Sequence, residues 1–281
     1  MVAGTSCGGI IAAGLSFPSS DIYRPCYTAS DIVQLFKKES KNIFSTGNIF
    51  MSLINRATYN LFQESYTDKG RKELFSNYFG KTKIKDALTD LLIPTYCESH
   101  GNQAYVFKSW DSENNRTSVL DVLMATSAAP TFFPPYKIDG KTYLDGGVNL
   151  NNPTMRAYTE SMCKSSNKKF VLSLGTGSFM PDPLDPNMYR GQLFWAQNFH
   201  KVAMNPQEGN IDIDMYNLSI GKKDVLYKRW QVYMDEPISL DSYDDVSINN
   251  LIEMGKQYIE EERDQLENLI EELKKGHEFT F

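Results

Sequence analysis

The N-terminal residues Gly4-Thr5-Ser6-Cys7-Gly8 match the pattern GxSxG, which can expose a serine hydroxyl for nucleophilic attack. Glycines on either side of the serine, here Gly4 and Gly8, let a strand turn sharply into a helix with the serine at the apex. The helix that follows points free backbone N–H groups at the same place, which favours developing negative charge. We therefore predict that Ser6 is a nucleophile and that the Cys7 N–H helps to hold an oxyanion.

A serine hydroxyl needs a base to accept its proton, and an aspartate is the best candidate here. Asp145 ends a predicted strand and precedes Gly146 and Gly147, which have no side chains and allow other groups to approach the carboxylate closely. The three histidines are scattered and have no flanking motif that would fix them in a site: His100, His200 and His277. His200 is the alternative base, in a triad with the chain order Ser, Asp, His.

The composition excludes several other kinds of function. With 29 basic and 35 acidic residues the net charge is −6, which disfavours electrostatic capture of nucleic acid or of an anionic membrane. The cysteines form no CxxC pair and the histidines do not cluster, so we expect neither a metal nor a cofactor. Contact with lipid must then rest on apolar surface, for which the aromatic segments 132–136 and 193–195 are candidates.

Cysteine content and the N-terminal stretch bear on location. Four cysteines in 281 residues suit a reducing compartment. The uncharged stretch from Val2 to Ser20 lacks a preceding basic residue and a long apolar run, so it fits neither a signal peptide nor a transmembrane segment. We expect a cytoplasmic protein or one peripheral to a membrane, with secretion left open and the oligomeric state unassigned.

Helix and strand signals alternate along the chain. Small residues from Gly8 to Ser16 predict a helix that packs close to a sheet, and Ser30 and Ser118 are predicted helix caps. The strand signals are Ala104 to Trp110, a hairpin with its turn at Asp139-Gly140, and a buried strand from Phe170 to Leu174. The tail has helical spacing of Leu266, Leu269, Ile270 and Leu273.

Strands interleaved with helices predict a three-layer α/β fold, with a mainly parallel central sheet flanked by helices. No internal repeat and no Gly/Ser-rich linker divides the chain. We therefore expect a single domain over residues 1–281.

Blocks further along the chain make the serine motif more specific. GTSCGG, ATSAAPTFFPP (125–135), YLDGGVNLNNP (143–153) and LSLGTG (172–177) occur in the order and approximate spacing seen in patatin-like phospholipases. The chain resembles that family from Ala3 to about Leu273. The resemblance implies a patatin-type α/β sandwich, with Ser6 as nucleophile and Asp145 as the base of a Ser–Asp dyad. It also implies hydrolysis of acyl esters of phospholipids and other lipids without a histidine or a metal.

The start of the chain departs from the family pattern. Family members carry, before the serine motif, a first strand and a glycine-rich loop with an arginine, whose backbone N–H groups bind the oxyanion. Here Met1 lies three residues ahead of Gly4, so we expect a fragment of a longer enzyme that is weakly active or inactive alone. Loss of one oxyanion donor typically lowers turnover roughly 100- to 1,000-fold.

The leading hypothesis is a lipid acyl hydrolase of phospholipase A or lysophospholipase type, which works through an acyl-enzyme on Ser6. Its substrate would be met at a membrane or micelle interface. The alternative is an inactive patatin-like paralogue or fragment that binds lipid or a protein partner. Head group, acyl position and chain length are not readable from the sequence.

Overall fold

A computed structural model describes residues 1–19, 23–44, 65–99, 101–164, 168–179, 191, 205–236 and 238–275. The chain divides into two compact units. The first consists of Met1–Cys163 with Asn198–Ile211, and the second of Lys164–Gln197 with Asp212–Phe281. The single domain expected over residues 1–281 stays a prediction. Ser6 and Asp145 both belong to the first unit.

A mixed sheet runs through the first unit. Its strands are β1 (Val2–Ala3), β2 (Leu91–Cys97), β3 (Gln103–Lys108), β4 (Tyr136–Ile138) and β5 (Lys141–Asp145). β1 is parallel to β2, whereas β3 and β5 are antiparallel to β2, and β4 is antiparallel to β5. The β4–β5 hairpin turns at Asp139-Gly140, where φ is 47° and 78°, as the Asp-Gly pair predicted.

Two strands share one edge of β2 and point towards each other. β3 pairs with β2 from Leu92 to Cys97 and so occupies one edge, which leaves β1 and β5 on the opposite edge. β1 pairs in parallel with the first two residues of β2, and β5 pairs in antiparallel fashion with the last three. The C-terminal ends of β1 and β5 therefore meet beside Pro94. Because Ser6 follows β1 and Asp145 ends β5, this topology brings the two residues together.

A proline lies where these two strand ends meet. The carbonyl oxygen of Pro94 accepts a hydrogen bond from Thr126 Oγ1 at 2.6 Å, on the edge of β2 that β1 and β5 share. In an antiparallel ladder the N and O of one residue point to the same edge. The N–H that Pro94 lacks would therefore face the gap between β1 and β5, where no ladder hydrogen bond is lost.

Helices cover this sheet. The described helices of residues 1–163 are α1 (Cys7–Gly14), α2 (Ala29–Ile43), α3 (Lys69–Phe79), α4 (Val119–Thr126) and α5 (Thr154–Lys164). The small residues of α1 are largely buried, in agreement with the predicted close packing. Ser118 caps α4 as predicted. The prediction of Ser30 as a cap was wrong, because Thr28 caps α2 and exchanges hydrogen bonds with Asp31.

The aromatic segment 132–136 packs mainly inwards. Phe133 is buried in the core, with its ring 5.9 Å from that of Phe44. Phe132 is half-buried and stacks on Tyr66. The other candidate for lipid contact, the segment 193–195 with Trp195, lies outside the described residues.

A buried arginine crosses the core between α3 and α4. Arg71 is 1% exposed, and the carbon Cζ of its guanidinium lies 3.9 Å from the centre of the Phe133 ring. Nη1 donates to Ser127 O at 2.6 Å and to Ser127 Oγ at 2.9 Å, and Nη2 pairs with Asp68. Burial lowers the pKa of Arg71, and the Asp68 carboxylate opposes that effect. The cation thus ties α3 to the turn that follows α4.

The second unit contains a short parallel sheet and helices. Its described elements are β6 (Lys169–Leu174), β7 (Val225–Trp230), α7 (Asp245–Glu261) and α8 (Arg263–Lys275), with the part of α6 (Asn205–Gly221) from Asp212 onwards. β6 pairs with β7 in parallel. The predicted strand at 170–174 is present, but its predicted burial was wrong: Leu172 and Leu174 are exposed. The predicted α/β class is confirmed, and α8 supplies the predicted tail helix.

We predict that Arg71→Met lowers the free energy of unfolding by about 3 kcal/mol, because buried acceptors at Ser127 lose their donor and the Asp68 carboxylate loses its partner. Urea unfolding followed by circular dichroism measures the change. Arg156→Met is the matched control. Arg156 is half exposed and pairs with Glu160 at 3.1 Å, so its loss should cost less than about 1 kcal/mol. Equal losses in the two variants would contradict the assigned role of Arg71.

Candidate active site

The turn between β1 and α1 holds Ser6 in a strained conformation. Its backbone has φ 54° and ψ −120°, a region that residues other than glycine rarely adopt and that costs on the order of 1–3 kcal/mol. Ser6 occupies the cap position of α1, yet its hydroxyl makes no capping hydrogen bond. Strain of this kind persists where the surrounding structure imposes it, and it is frequent at functional sites. The hydroxyl is thereby available to another partner.

Close backbone packing makes this turn possible. A Cβ on Gly4 would lie 2.0 Å from the carbonyl oxygen of Gly8, so a side chain at position 4 is excluded. By contrast, a Cβ on Gly8 would meet no atom of the described residues within 4 Å. Cys7 is exposed, and its N–H belongs to the first turn of α1, where backbone N–H groups lack partners within the helix.

Ser6 and Asp145 are in direct contact. Ser6 Oγ donates a hydrogen bond of 2.6 Å to Asp145 Oδ2, and the other carboxylate oxygen accepts the Gly147 N–H at 2.7 Å. The Asp145 N–H donates to Ala128 O at 2.9 Å. The side chain and the backbone of Asp145 are therefore both held, and the carboxylate faces the serine hydroxyl.

Gly146 lets the loop after Asp145 approach β2 closely. A Cβ at this position would lie 2.4 Å from Pro94 O and 2.8 Å from the Thr5 side chain. Thr5 Oγ1 donates to Leu150 O at 2.8 Å, which ties the serine turn to the segment beyond the aspartate. Hydrogen bonding and close packing thus join the Ser6 turn to the Asp145 loop.

The environment of Asp145 makes it a stronger base than a free carboxylate. Burial raises its pKa from the ordinary value to about 6. The hydrogen bonds from Ser6 and Gly147 and the positive charge of Arg71 lower that pKa in part. At pH 7 a group with a pKa of about 6 is still about nine-tenths ionised. Asp145 is therefore ready to accept a proton near neutral pH.

Two other hydroxyl–carboxylate pairs among the described residues lie at helix starts and have a different geometry. They are Thr28–Asp31 at 2.7 Å and Ser118–Asp121 at 2.5 Å. In both, the hydroxyl also accepts the backbone N–H of the aspartate three residues on, which is the ordinary capping arrangement. Ser6 reaches a carboxylate 139 positions away that is 6% exposed. This contact is long-range and partly buried, and it caps no helix.

The arrangement has several of the elements that acyl transfer requires. A hydroxyl lies within hydrogen-bond reach of a base, at a turn where it is partly exposed. The Cys7 N–H lies at the positive end of α1, next to the position where an oxyanion would develop. The pair can pass a proton from Ser6 to Asp145 while Oγ attacks an acyl carbon.

Sequence reasoning did not identify every residue that contacts this pair or acts on its charge. Thr126 Oγ1 accepts the Ser6 N–H at 3.0 Å, and Arg71 acts on the charge of Asp145. Thr126 lies in the ATSAAP block, which was noted without a role, whereas nothing around Arg71 marks it locally. The three histidines, including the alternative base His200, lie outside the described residues.

The part of the chain that the structure describes shows neither a metal-binding group of side chains nor a membrane-spanning helix. There, no three His, Cys, Asp or Glu side chains are grouped so that they could hold a metal ion. In the same residues, no helix is both long and apolar enough to span a membrane.

Comparison with known proteins identifies the family. The family model for patatin-like phospholipases matches residues 1–158, which include Ser6 and Asp145. Patatin-like protein 1 of Arabidopsis thaliana is 30% identical over 204 residues, which cover 63% of this chain and 49% of the relative. Patatin-like protein 4 of the same plant is 32% identical over 201 residues, with the same coverage. Patatin-11 of Solanum tuberosum is 28% identical over 204 residues, which cover 63% of this chain and 50% of the relative.

The chain spans about half the length of the curated relatives it matches. The family model nevertheless covers more than half of the chain itself, and the matched part contains the strained serine turn and the buried aspartate. On these grounds, the chain belongs to the patatin-like phospholipase family.

Proposed function

We propose that this protein is a lipid acyl hydrolase of phospholipase A or lysophospholipase type, which cleaves carboxylic esters through an acyl-enzyme on Ser6. The observation that carries the proposal is the 2.6 Å hydrogen bond from Ser6 Oγ to the buried Asp145 carboxylate. Family membership supports it independently. Its substrates would be phospholipids or other lipid esters, met at the surface of a membrane or a micelle.

The first half of the proposed reaction forms the acyl-enzyme. Asp145 takes the Ser6 hydroxyl proton as Oγ bonds to the ester carbonyl carbon, and the carbonyl oxygen becomes an oxyanion near the Cys7 N–H. The tetrahedral intermediate then collapses. The bond to the leaving alkoxide breaks, and Asp145 returns the proton to that oxygen. The products are a free alcohol and an acyl group esterified to Ser6.

The second half releases the fatty acid. A water molecule takes the place of the alcohol, loses a proton to Asp145 and attacks the acyl carbon. Collapse of this intermediate restores the Ser6 hydroxyl, with the proton returned from Asp145, and frees the carboxylic acid. One carboxyl group thus acts as base and acid in both halves, so no second titrating residue is required.

The net charge bears on how the protein would contact its lipid substrate. A net charge of −6 gives no general attraction to anionic lipid head groups, so contact with lipid would rest on apolar side chains. The proposed location is the cytoplasm or the periphery of a membrane, with secretion left open.

We predict that a fluorophosphonate probe labels this chain at Ser6, because the Asp145 base activates that hydroxyl, at a rate that a missing oxyanion donor lowers roughly 100- to 1,000-fold. Peptide mass spectrometry locates the label. Ser6→Ala should abolish labelling. Ser118→Ala should not change it, because the Ser118 hydroxyl contacts a carboxylate only as a helix cap. Labelling that persists in Ser6→Ala, or that is found at Ser118, would contradict the assignment of the nucleophile.

We also predict that kcat/KM for a short soluble ester rises with pH through about 6 and then levels off. The folded pKa of Asp145 is about 6, so the base is protonated and inactive below that pH and ionised above it. Asp145→Asn should lower turnover by on the order of 10²- to 10⁴-fold at every pH.

Asp121→Asn is the control for that experiment, since Asp121 contacts Ser118 and Tyr136 away from the serine turn. It should keep the pH profile of the wild type. If Asp145→Asn retained wild-type turnover, the base role would pass to another residue, with His200 the next candidate. Loss of turnover in His200→Ala would then identify His200 as the base, whereas the Ser–Asp dyad predicts wild-type turnover in that variant.

A further inference from the structure

We propose that the three consecutive residues Thr126, Ser127 and Ala128 form a positioning turn. The turn fixes the position of Ser6 relative to Asp145 and links both residues to Arg71. Thr126 is the member that positions Ser6. This inference rests on the proposed function, because it assigns to the turn the alignment of the Ser6 and Asp145 side chains. The turn begins at Thr126, the last residue of α4, and all three residues are buried.

Each residue of the turn makes a hydrogen bond to a different part of the site. Thr126 Oγ1 accepts the Ser6 N–H at 3.0 Å. Ser127 O accepts Arg71 Nη1 at 2.6 Å. Ala128 O accepts the Asp145 N–H at 2.9 Å. Because the three residues are adjacent in one backbone segment, displacement of any one of them moves the others.

The Thr126 hydroxyl connects two backbone groups, the Pro94 carbonyl and the Ser6 N–H, that make no backbone–backbone hydrogen bond among the described residues. It donates to Pro94 O at 2.6 Å and accepts from the Ser6 N–H. Pro94 lies where the ends of β1 and β5 meet, so its carbonyl has no strand partner on that edge among the described residues. The hydroxyl therefore fills the gap in the ladder and fixes the Ser6 backbone relative to β2.

The hydrogen bond from the Ser6 N–H to Thr126 Oγ1 helps to hold the strained backbone of Ser6. With φ at 54° the residue lies in a region that it would leave if its N–H were released. A shift of φ towards negative values would swing Oγ away from Asp145 Oδ2, now 2.6 Å distant. A misplacement of about 1 Å can lower a catalytic rate on the order of 100-fold. Thr126 thus acts on the reaction through Ser6 and contacts no reacting atom.

Two variants separate the effect of the Thr126 hydroxyl from the effect of its methyl group. Thr126→Val keeps the shape and the methyl group that faces Gly9, at 3.1 Å from a Cβ built there, but it removes the hydroxyl. Thr126→Ser keeps the hydroxyl and removes the methyl group. Ser109→Ala is the matched control, since Ser109 Oγ likewise accepts a strand N–H, that of Leu91 at 2.9 Å, and also contacts the Thr89 carbonyl.

The experiment measures the rate at which the fluorophosphonate probe labels Ser6 in the 281-residue chain, together with amide hydrogen exchange at Ser6. Thr126→Val should label on the order of 10- to 100-fold more slowly than wild type and lose protection of the Ser6 N–H. Thr126→Ser should label within about threefold of wild type and keep that protection. Ser109→Ala should label at the wild-type rate even if its melting temperature falls.

The outcomes separate this inference from the proposed function. Equal labelling rates in wild type and Thr126→Val would overturn the positioning role alone and leave Ser6 as nucleophile. Slow labelling in both Thr126→Val and Ser109→Ala, in proportion to their loss of melting temperature, would also overturn it, because general destabilisation would then explain the effect. Absence of labelling at Ser6 in the wild type would overturn the proposed function, and this inference with it.

Discussion

A carboxylate removed from water loses solvation that protein groups must replace, and Asp145 is 6% exposed. Two hydrogen bonds, from Ser6 Oγ and the Gly147 N–H, and the nearby charge of Arg71 replace part of that solvation. The replacement is incomplete, so the pKa stays at about 6. The raised pKa of roughly two units means that keeping Asp145 ionised at neutral pH costs about 3 kcal/mol of folding free energy. The neighbouring elements must supply this free energy.

The strand order determines where in the fold the buried carboxylate lies. β1 and β5 approach each other along one edge of β2, and their ends bring Ser6 against Asp145. The approach is close enough that Gly4 and Gly146 cannot carry side chains. It also strains Ser6, whose φ is 54°. The strained backbone of Ser6 and the buried charge of Asp145 both lower the free energy of unfolding. Packing of the hydrophobic core and the bonds of Arg71 offset this loss.

Features with local sequence signals were predictable. The GxSxG pattern marked Ser6, the two glycines after Asp145 marked the carboxylate, and Asp139-Gly140 marked the hairpin. The cap of α2 was also readable, because Thr28 has Asp31 three residues on and can make reciprocal bonds, whereas Ser30 has Val33 at that spacing. Family resemblance then linked Ser6 to Asp145, and the structure adds their contact distance.

Features that depend on tertiary neighbours were not predictable from one sequence. Arg71 and Thr126 contact partners more than 30 positions away, and no periodicity marks such pairs. The run at 170–174 predicted a strand correctly, yet Leu172 and Leu174 are exposed because burial depends on what packs over a strand. The described sheet is also mixed, since the antiparallel neighbours of β2 arise from connections that apolar runs alone do not specify.

The pH dependence of stability tests the burial of the Asp145 base independently of activity. The folded pKa of about 6 exceeds the unfolded value of about 4, so the folded state binds the proton more tightly, and stability falls as pH rises from about 4 through about 6. Asp145→Asn removes this dependence, and its amide can still accept from Gly147 and donate to Ser6 Oγ. Urea unfolding of both proteins between pH 4 and 8 should show the wild type losing about 2 kcal/mol relative to Asp145→Asn as pH rises. A stability difference that stays constant with pH, or one that shifts in favour of the wild type at high pH, would contradict a buried base with a raised pKa.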